Sequence, residues 1–220
     1  MLVVIGGIKG GSGKTTLATN LAVMTAQECK VLLVDADEQK SAWDWSQQRD
    51  SADPTRRSCT FSTVCMSGKS IYSNLARLKP DYQTIIVDTG GRDTTSQRSA
   101  LCVADMLILP FKPSSIDIWT MASIKTILDE CVNPNLRVLA LINQADSRGK
   151  DNKEALDILK EFSGIQVLDI TIGNRKAFRN AAAEGLAVCE MVPVDQIALQ
   201  EMKNLSRIIY MSYMNYIPSI

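Results

Sequence analysis

One pattern repeats along the sequence and limits the folds that it can adopt: a short apolar run is followed by a longer segment with helical spacing. Apolar runs occur at residues 2–7, 30–37, 60–64, 84–91, 106–110, 137–144 and 165–171. They are continuously apolar instead of alternating, which is typical of strands buried on both faces of a parallel sheet. Helical spacing covers roughly residues 14–28, 40–50, 69–79, 95–104, 115–131, 151–162, 175–184 and 195–216. The order predicts an α/β fold, a mostly parallel sheet with helices on both faces.

The chain has 220 residues, an ordinary length for one domain, so we predict a single domain over residues 1–220. Basic and acidic residues number 24 each, so binding to nucleic acid or to a membrane requires a local patch. The sequence has no histidine, which leaves proton transfer to carboxylates, lysines or positioned water.

The cysteines form no C-x-x-C pair, no basic-then-apolar segment precedes the first strand, and no apolar stretch approaches about 18 residues. We therefore expect a cytoplasmic protein.

Polar residues cluster where the predicted strands end. Residues 9–16 follow the first strand, Asp35 and Asp37 follow the second, Asp88 follows the fourth and Asn143 follows the sixth. Ligands of open parallel sheets bind at the carboxyl ends of the strands. The sequence therefore predicts that these residues meet in one crevice.

The segment "VVIGGIKGGSGKTT", residues 3–16, has the composition of a phosphate-binding loop. Its glycines allow successive backbone N–H groups to curl around a phosphate, and the helix that starts near Gly13 adds its positive end. Lys14 supplies a charge for the β- and γ-phosphates, and the Thr15 hydroxyl suits Mg²⁺. A dinucleotide site would need a glycine where Thr16 stands, and a turn that merely connects strand to helix would not need the Gly-Lys-Thr-Thr ending. The predicted nucleotide-binding residues are Gly10, Gly11, Ser12, Gly13, Lys14, Thr15 and Thr16.

The stretch "KGGSGKTT" resembles the signature K-G-G-x-G-K-[ST]-[ST] of the deviant Walker ATPases, the ParA/MinD family. That signature requires no glycine at the position of Ile8. In the family the extra lysine, here Lys9, crosses to the nucleotide of a second subunit. The resemblance implies a P-loop NTPase-like fold and a homodimer around two ATP molecules, with Lys9 acting in trans as an arginine finger does.

The segment "VLLVDADEQKSAWDWSQQR" extends the resemblance to the small ParA proteins, whose pattern is D-x-D-P-Q-x-S-L-x-x-W-x-x-R. It departs at Glu38, where proline is usual, and at Ala42, where leucine is usual. The resemblance implies that Asp35 acts through water on the Mg²⁺ shell and that Asp37 orients the attacking water. Capping of a helix N-terminus is the alternative for two such acids at a strand end.

A third segment, "YQTIIVDTGGRD", has the character of a Walker B strand, which ends at Asp88. The Asp88 carboxylate can hold a magnesium-bound water, so Thr15, Asp35 and Asp88 form the predicted metal site. Asn143 follows another strand, and its amide can pair with the adenine edge through one donor and one acceptor. The predicted catalytic residues are Lys9, Lys14 and Asp37.

The segment "TIGNRKAFRNAAAEGLAVCE", residues 171–190, resembles the R-x-A-(F/Y)-x-x-A-x-x-x-G-x-x-V motif of ParA proteins. The resemblance implies that Arg175, Lys176 and Arg179 contact DNA phosphates without regard to sequence, and Lys203 is a further candidate. Dimerisation would double this charge and couple ATP to DNA affinity. An ordinary solvated helix face is the alternative.

These resemblances imply a Mg²⁺-dependent partition ATPase that forms an ATP-bound homodimer on nucleoid DNA. A small centromere-binding, ParB-like protein would stimulate hydrolysis, and the activity would segregate a plasmid or a chromosome. Because the first strand begins at residue 2, we expect the small type without an amino-terminal helix-turn-helix domain.

Three other functions share parts of this pattern. A MinD-like or other ATPase that positions a membrane-bound or protein cargo shares every motif. A ligase of the dethiobiotin-synthetase type shares the loop, but nothing in its chemistry requires Lys9, Trp45 or Arg49. An iron–sulfur carrier would need cysteines in ligand spacing. The last helical segment carries an apolar stripe but only two cations, so we predict that it packs on the sheet and does not enter a membrane.

Overall fold

The computed structural model describes residues 1–92, 94–115, 118–146 and 151–214. In these ranges the strands are β1 (Leu2–Ile5), β2 (Val31–Asp35), β3 (Ser62–Cys65), β4 (Thr84–Asp88), β5 (Met106–Phe111), β6 (Arg137–Ala145) and β7 (Gln166–Gly173). The α-helices are α1 (Lys14–Ala26), α2 (Ser41–Ser51), α3 (Ser70–Leu78), α4 (Thr95–Leu101), α5 (Ile118–Glu130), α6 (Asp151–Lys160), α7 (Lys176–Ala183) and α8 (Gln196–Met214). Every predicted strand and helix is present, within a few residues of its expected bounds. Residues 116 and 117 of one predicted helix, and 215 and 216 of another, lie outside the described ranges.

The strands form one sheet in the order β3-β2-β4-β1-β5-β6-β7, and all neighbours are parallel. The predicted α/β fold with a parallel sheet is confirmed. Strand β1 lies between β4 and β5, so the chain leaves it toward one side of the sheet and later returns to the other. Such a switch point opens a crevice above the carboxyl end of the strand, and the glycine-rich loop starts there.

Side chains of each strand alternate between two apolar cores, one on each face of the sheet. In β2, Val31 and Leu33 face the core under α1, α2, α7 and α8, whereas Leu32 and Val34 face the core under α3, α4, α5 and α6. Both faces are therefore covered, which is why the strands are apolar at successive positions. Each fully buried Leu or Val contributes roughly 1.5–3 kcal/mol to folding.

Helix α8 packs on the first of these cores, as predicted from its apolar stripe. Ala198, Met202, Leu205 and Ile209 are buried there, and the helix lies against β7 and α1. Among the described residues, none of the helices combines the length and the apolar character needed to span a bilayer.

Candidate functional site

A cleft of about 580 Å³ lies over the carboxyl ends of β1, β2 and β4. Its walls come from three segments: the loop between β1 and α1, residues 36–41 after β2, and residues 89–96 after β4. The volume suits a nucleotide-sized ligand. Asp37 and most of the phosphate loop line this cleft directly. Asp88 is joined to it through Thr15, Asp35 through the backbone of Asp37, and Asn143 through Ser12, so the strand ends that the sequence predicted to meet do lie together.

The loop between β1 and α1 has a backbone that requires glycine. Gly11 and Gly13 adopt left-handed conformations, with φ of 72° and 86°. Gly13 directly precedes α1, so the unpaired N–H groups of the first helical turn lie at the cleft. A helix N-terminus reached through a glycine loop binds anions well, because backbone donors and the helix dipole act together.

Lys14 is buried at the start of α1, with only 6% of its surface exposed. Its Nζ donates a hydrogen bond of 2.9 Å to the backbone carbonyl of Lys9. Burial lowers the pKa of Lys14, and the nearby carboxylates of Asp88 and Asp37 act in the opposite direction. The ammonium therefore has an uncharged partner that a phosphate oxygen could replace.

Asp88 ends β4 next to the phosphate loop and is fully buried. The Thr15 hydroxyl donates a 2.6 Å hydrogen bond to Asp88 Oδ2. Burial raises the pKa of Asp88 to about 7, although the Thr15 bond acts to lower it. Within the described part of the chain, Asp88 Oδ1 has no hydrogen-bond partner. A buried, unpaired carboxylate oxygen beside a hydroxyl is a donor set that fits Mg²⁺.

The two acids after β2 have different surroundings. Asp35 is 1% exposed, and its two oxygens accept hydrogen bonds from the backbone N–H groups of Asp37 (2.9 Å) and Trp43 (2.8 Å). Burial raises the pKa of Asp35, and these backbone bonds act to lower it. Trp43 lies in the first turn of α2, so Asp35 also accepts from the amino-terminal end of that helix, which is the alternative role for such an acid at a strand end. Asp37 is half-buried and lines the cleft, where its Oδ1 accepts from the Gln39 N–H at 3.2 Å.

Two glycines after β4 lie close to the other walls of the cleft, and at Gly91 only glycine fits. A Cβ on Gly91 would lie 2.6 Å from the Cα of Gly10. A Cβ on Gly90 would lie 3.0 Å from Oδ1 of Asp37. The Walker B segment therefore closes one wall of the cleft directly against the phosphate loop.

Arg49, which the sequence linked to the small ParA pattern, lies outside the cleft in a buried ion pair. Its guanidinium binds both carboxylate oxygens of Glu190, at 2.6 and 2.8 Å, and stacks near the ring of Trp45. Burial acts to raise the pKa of Glu190, but hydrogen bonds from Arg49 and the backbone leave that pKa lowered. Arg49 and Trp45 thus join α2 to the segment after α7, a packing role that the pattern alone did not reveal.

Asn143 does not line the cleft. It is 3% exposed, and its Nδ2 donates a 2.6 Å hydrogen bond to the backbone carbonyl of Ser12 in the phosphate loop. Its neighbour Gln144 makes a similar contact with the carbonyl of Gly11 at 2.7 Å. Recognition of adenine by Asn143 stays a prediction. Gln144 was not predicted as a site residue, since the backbone conformation that aims it at the loop leaves no mark in the sequence.

The four predicted DNA-binding cations occupy different surroundings. Arg175 precedes α7 and forms a two-bond ion pair with Glu201 of α8, at 3.0 and 2.7 Å. The hydrogen bonds that Arg175 donates to Glu201 raise the pKa of Arg175. Lys176 and Arg179 are exposed on α7. Lys203 is also exposed, but it lines a separate cavity of about 620 Å³ near the amino ends of the strands, which contains none of the other predicted site residues.

Comparison with known proteins identifies the family. The model of the CobQ/CobB/MinD/ParA nucleotide binding domain matches residues 3–188. Maintenance of carboxysome distribution protein A from Halothiobacillus neapolitanus is 26% identical over 208 residues, which cover 91% of this chain and 92% of the relative. The protein of the same name from Gloeobacter kilaueensis is 31% identical over 184 residues, or 83% and 81% of the two chains.

Solved structures agree on the fold. A putative plasmid partition protein from Borrelia burgdorferi, bound to AMPPNP, superposes with a TM-score of 0.76 at 19% identity, covering 96% of this chain and 98% of its own. The cleft therefore occurs in a fold shared with these proteins, at the position where the glycine loop, Lys14 and Asp88 converge. The chain belongs to the CobQ/CobB/MinD/ParA nucleotide binding domain family and is a deviant Walker ATPase of the ParA/MinD type.

Proposed function

We propose that this ATPase positions a large protein assembly in the cell, and that it does so as an ATP-bound dimer on DNA. Both curated relatives that match most of the chain are named for carboxysome distribution, which favours a protein assembly as the cargo. The sequence alone had favoured plasmid or chromosome segregation, with positioning of an assembly as the alternative. The relatives support the alternative better, so segregation becomes the second candidate.

The observation that carries the nucleotide part of this proposal is the contact between Thr15 and Asp88 beneath the glycine loop. The backbone N–H groups of residues 10–16 would bind the phosphates of ATP, and Lys14 would exchange the carbonyl of Lys9 for a phosphate oxygen. Thr15 and the unpaired oxygen of Asp88 would hold Mg²⁺, directly or through water, with Asp35 in an outer shell. The bound ion would neutralise charge on the β- and γ-phosphates.

Asp37 is the residue best placed to orient the attacking water. It reaches the cleft from the segment after β2, and it lies beside Gly90 of the opposite wall. Phosphoryl transfer needs positioning more than strong base catalysis, so an ordinary carboxylate is sufficient. The Lys9 side chain would complete the partner subunit's site in trans.

Dimerisation would couple the cleft to DNA. Lys176 and Arg179 are exposed on one helix, and two copies of that helix in a dimer would double the number of phosphate contacts. A partner protein, ParB-like or an adaptor on the cargo, would stimulate hydrolysis and so release the dimer from DNA.

The cargo is tested by deleting the gene in its host and imaging protein compartments while plasmid retention is counted. Clustered or unevenly inherited protein assemblies with normal plasmid retention support the proposal. Plasmid loss with evenly distributed assemblies would establish segregation in its place.

The coupling to DNA is tested by co-sedimentation of the purified protein with DNA, with ATP, with ADP and without nucleotide. We expect DNA binding with ATP alone, and equal binding in all three conditions would contradict the coupling.

A further inference from the structure

Two consecutive amide side chains of β6 hold two consecutive carbonyls of the phosphate loop. Asn143 Nδ2 donates to the carbonyl of Ser12 at 2.6 Å, and Gln144 Nε2 donates to the carbonyl of Gly11 at 2.7 Å. Because a carbonyl only accepts, the amide nitrogen must face it in each case. The two contacts join the end of β6 to a loop more than 130 residues earlier in the chain.

Neighbouring residues of a strand normally point to opposite faces, so a pair that reaches the same loop needs a special backbone. Gln144 supplies it, with a left-handed φ of 56°. The pairing of β6 with β7 shifts register between Asn143 and Ala145, as in a β-bulge. Bulges occur beside active sites, where they redirect a side chain, and left-handed non-glycine residues persist only where the surroundings hold them.

The loop is shaped to receive these amides. A Cβ on Gly13 would lie 2.3 Å from Asn143 Nδ2 and 3.3 Å from Gln144 Nε2. Gly13 is therefore needed for its left-handed conformation and also for the close approach of β6.

The direction of the held carbonyls determines where the loop N–H groups point. In a trans peptide the N–H is directed opposite to the preceding carbonyl. The carbonyls of Gly11 and Ser12 face Asn143 and Gln144, neither of which lines the cleft. The N–H groups of Ser12 and Gly13 are therefore turned to the other side, where the phosphates would bind.

We propose that Asn143 and Gln144 are positioning residues that pre-form the phosphate loop of this ATPase. They act on phosphate binding and not on recognition of the base. The proposal deepens the nucleotide site of the proposed function, and it assigns Asn143 a role different from the adenine contact that the sequence suggested. Pre-forming the loop spares ATP the cost of ordering it during binding.

The test uses neutral variants, because an added carboxylate would repel phosphate by itself. Gln144→Met removes the donor and keeps the length of the side chain, whereas Gln144→Gly removes the side chain and relieves the left-handed φ. Asn143→Leu removes the second donor. Gln200→Met is the matched control, since its exposed amide nitrogen donates to Asn204 on the same helix, α8. Each protein is titrated with ATP, GTP and inorganic tripolyphosphate, in competition with a fluorescent ATP analogue, and its melting temperature is recorded.

We expect each loop variant to weaken the binding of ATP, GTP and tripolyphosphate by the same factor, roughly 3- to 10-fold for the loss of one hydrogen bond. Gln144→Met and Gln144→Gly should agree, because the missing donor matters and not the φ. The control should bind all three ligands as the unaltered protein does.

Unchanged tripolyphosphate binding in folded variants would overturn the proposal. A weaker preference for ATP over GTP with normal tripolyphosphate binding would overturn it in favour of base recognition. Gln144 is only half-buried, so its two variants decide the outcome if Asn143→Leu does not fold. Failure of the unaltered protein to bind ATP would instead refute the proposed nucleotide site, which separates the two proposals.

Discussion

The side chain of Lys14 is bound to the backbone of Lys9: Nζ donates to the carbonyl oxygen across 2.9 Å. The two lysines of the loop are therefore linked through main-chain atoms of Lys9, and its side chain takes no part in this bond. A substitution at position 9 can remove the ammonium while the contact to Lys14 is kept.

Replacing Lys9 by glutamine should separate ATP binding from turnover. The loop backbone stays intact, so we expect ATP affinity of the monomer within about 3-fold of normal. A cation missing from the partner's site should lower turnover by on the order of 100-fold or more and should weaken the ATP-bound dimer. Turnover assays and light scattering with ATP measure both. Lys14→Gln is the contrast, since it should lose ATP binding itself. Normal dimerisation and turnover in Lys9→Gln would refute the role in trans.

The raised pKa of Asp88 predicts how stability changes with pH in the metal-free, nucleotide-free protein. In the folded state the carboxyl titrates near pH 7, against an ordinary value of 3.8, so the folded protein holds the proton more tightly than the unfolded chain. Folding stability should therefore fall as pH rises from about 4 to about 7 and level off above that range. Asp88→Asn removes the Asp88 part of this decline and keeps the part due to Asp35, whose pKa is also raised, so the variant should become the more stable protein at pH 8, by on the order of 4 kcal/mol.

Urea denaturation of both proteins in a chelator, at intervals from pH 4 to pH 8, measures the difference. The two curves should converge near pH 4, where the side chain is neutral in both folded proteins and the unfolded aspartate is close to its ordinary pKa of 3.8. A difference that is independent of pH would mean that Asp88 does not titrate in this range. The same substitution should abolish turnover.

Removal of one partner of the buried ion pair between Arg49 and Glu190 should destabilise the protein strongly. Both side chains are at most 5% exposed, so removal of one leaves a buried charge. Arg49→Met should lower the free energy of unfolding by about 3–5 kcal/mol, and the double variant with Glu190→Met should recover part of it. The exposed pair of Lys125 and Asp129 is the control, and Lys125→Met should cost less than about 1 kcal/mol. Destabilisations that simply add in the double variant would show that the two side chains are not coupled.

Gly91 should tolerate no side chain, because the added Cβ would meet backbone that cannot rotate away. Its position lies 2.6 Å from the Cα of Gly10, so Gly91→Ala must push the Walker B segment off the phosphate loop. We expect turnover to fall at least 10-fold, since small displacements of reacting groups cost about this much or more. Gly90→Ala is the milder comparison, because its nearest neighbour is the Asp37 side chain. Equal activity in the two variants would contradict the close approach of the two loops.

The exposed cations of α7 should set the salt dependence of DNA binding. Replacing Lys176 and Arg179 by alanine should reduce the slope of log affinity against log salt by about 0.9 for each phosphate that is no longer neutralised. Binding curves at several salt concentrations, with ATP present, give the slope. An unaltered slope would show that α7 does not contact DNA. Lys203→Ala then tests whether the DNA-binding surface includes α8. An equal reduction of the slope would show that it does, and an unchanged slope would show that the surface is limited to α7.

Much of the fold and of the phosphate site could be predicted from the sequence, because the relevant information is local. The continuous apolar runs required strands buried on both faces, and the structure has all seven of them in one parallel sheet. A loop that wraps phosphate must use consecutive backbone N–H groups and glycine, so Gly11, Gly13 and Lys14 are recognisable from their spacing. The apolar stripe of α8 likewise indicated the face that packs on the sheet.

Contacts between residues that are distant in the chain could not be predicted, because tertiary packing determines them. Arg49 contacts Glu190 across 141 positions, and Asn143 contacts Ser12 across 131. The sequence predicts that Arg175 contacts DNA, and only the structure shows that Glu201 forms an ion pair with it. A charged or amide side chain carries the same local signal whether it binds a ligand, an opposite charge or a loop carbonyl. The sequence determined the sheet and the phosphate loop because both depend on contiguous residues, whereas only the packing of distant elements decided which side chains remain to serve the cleft.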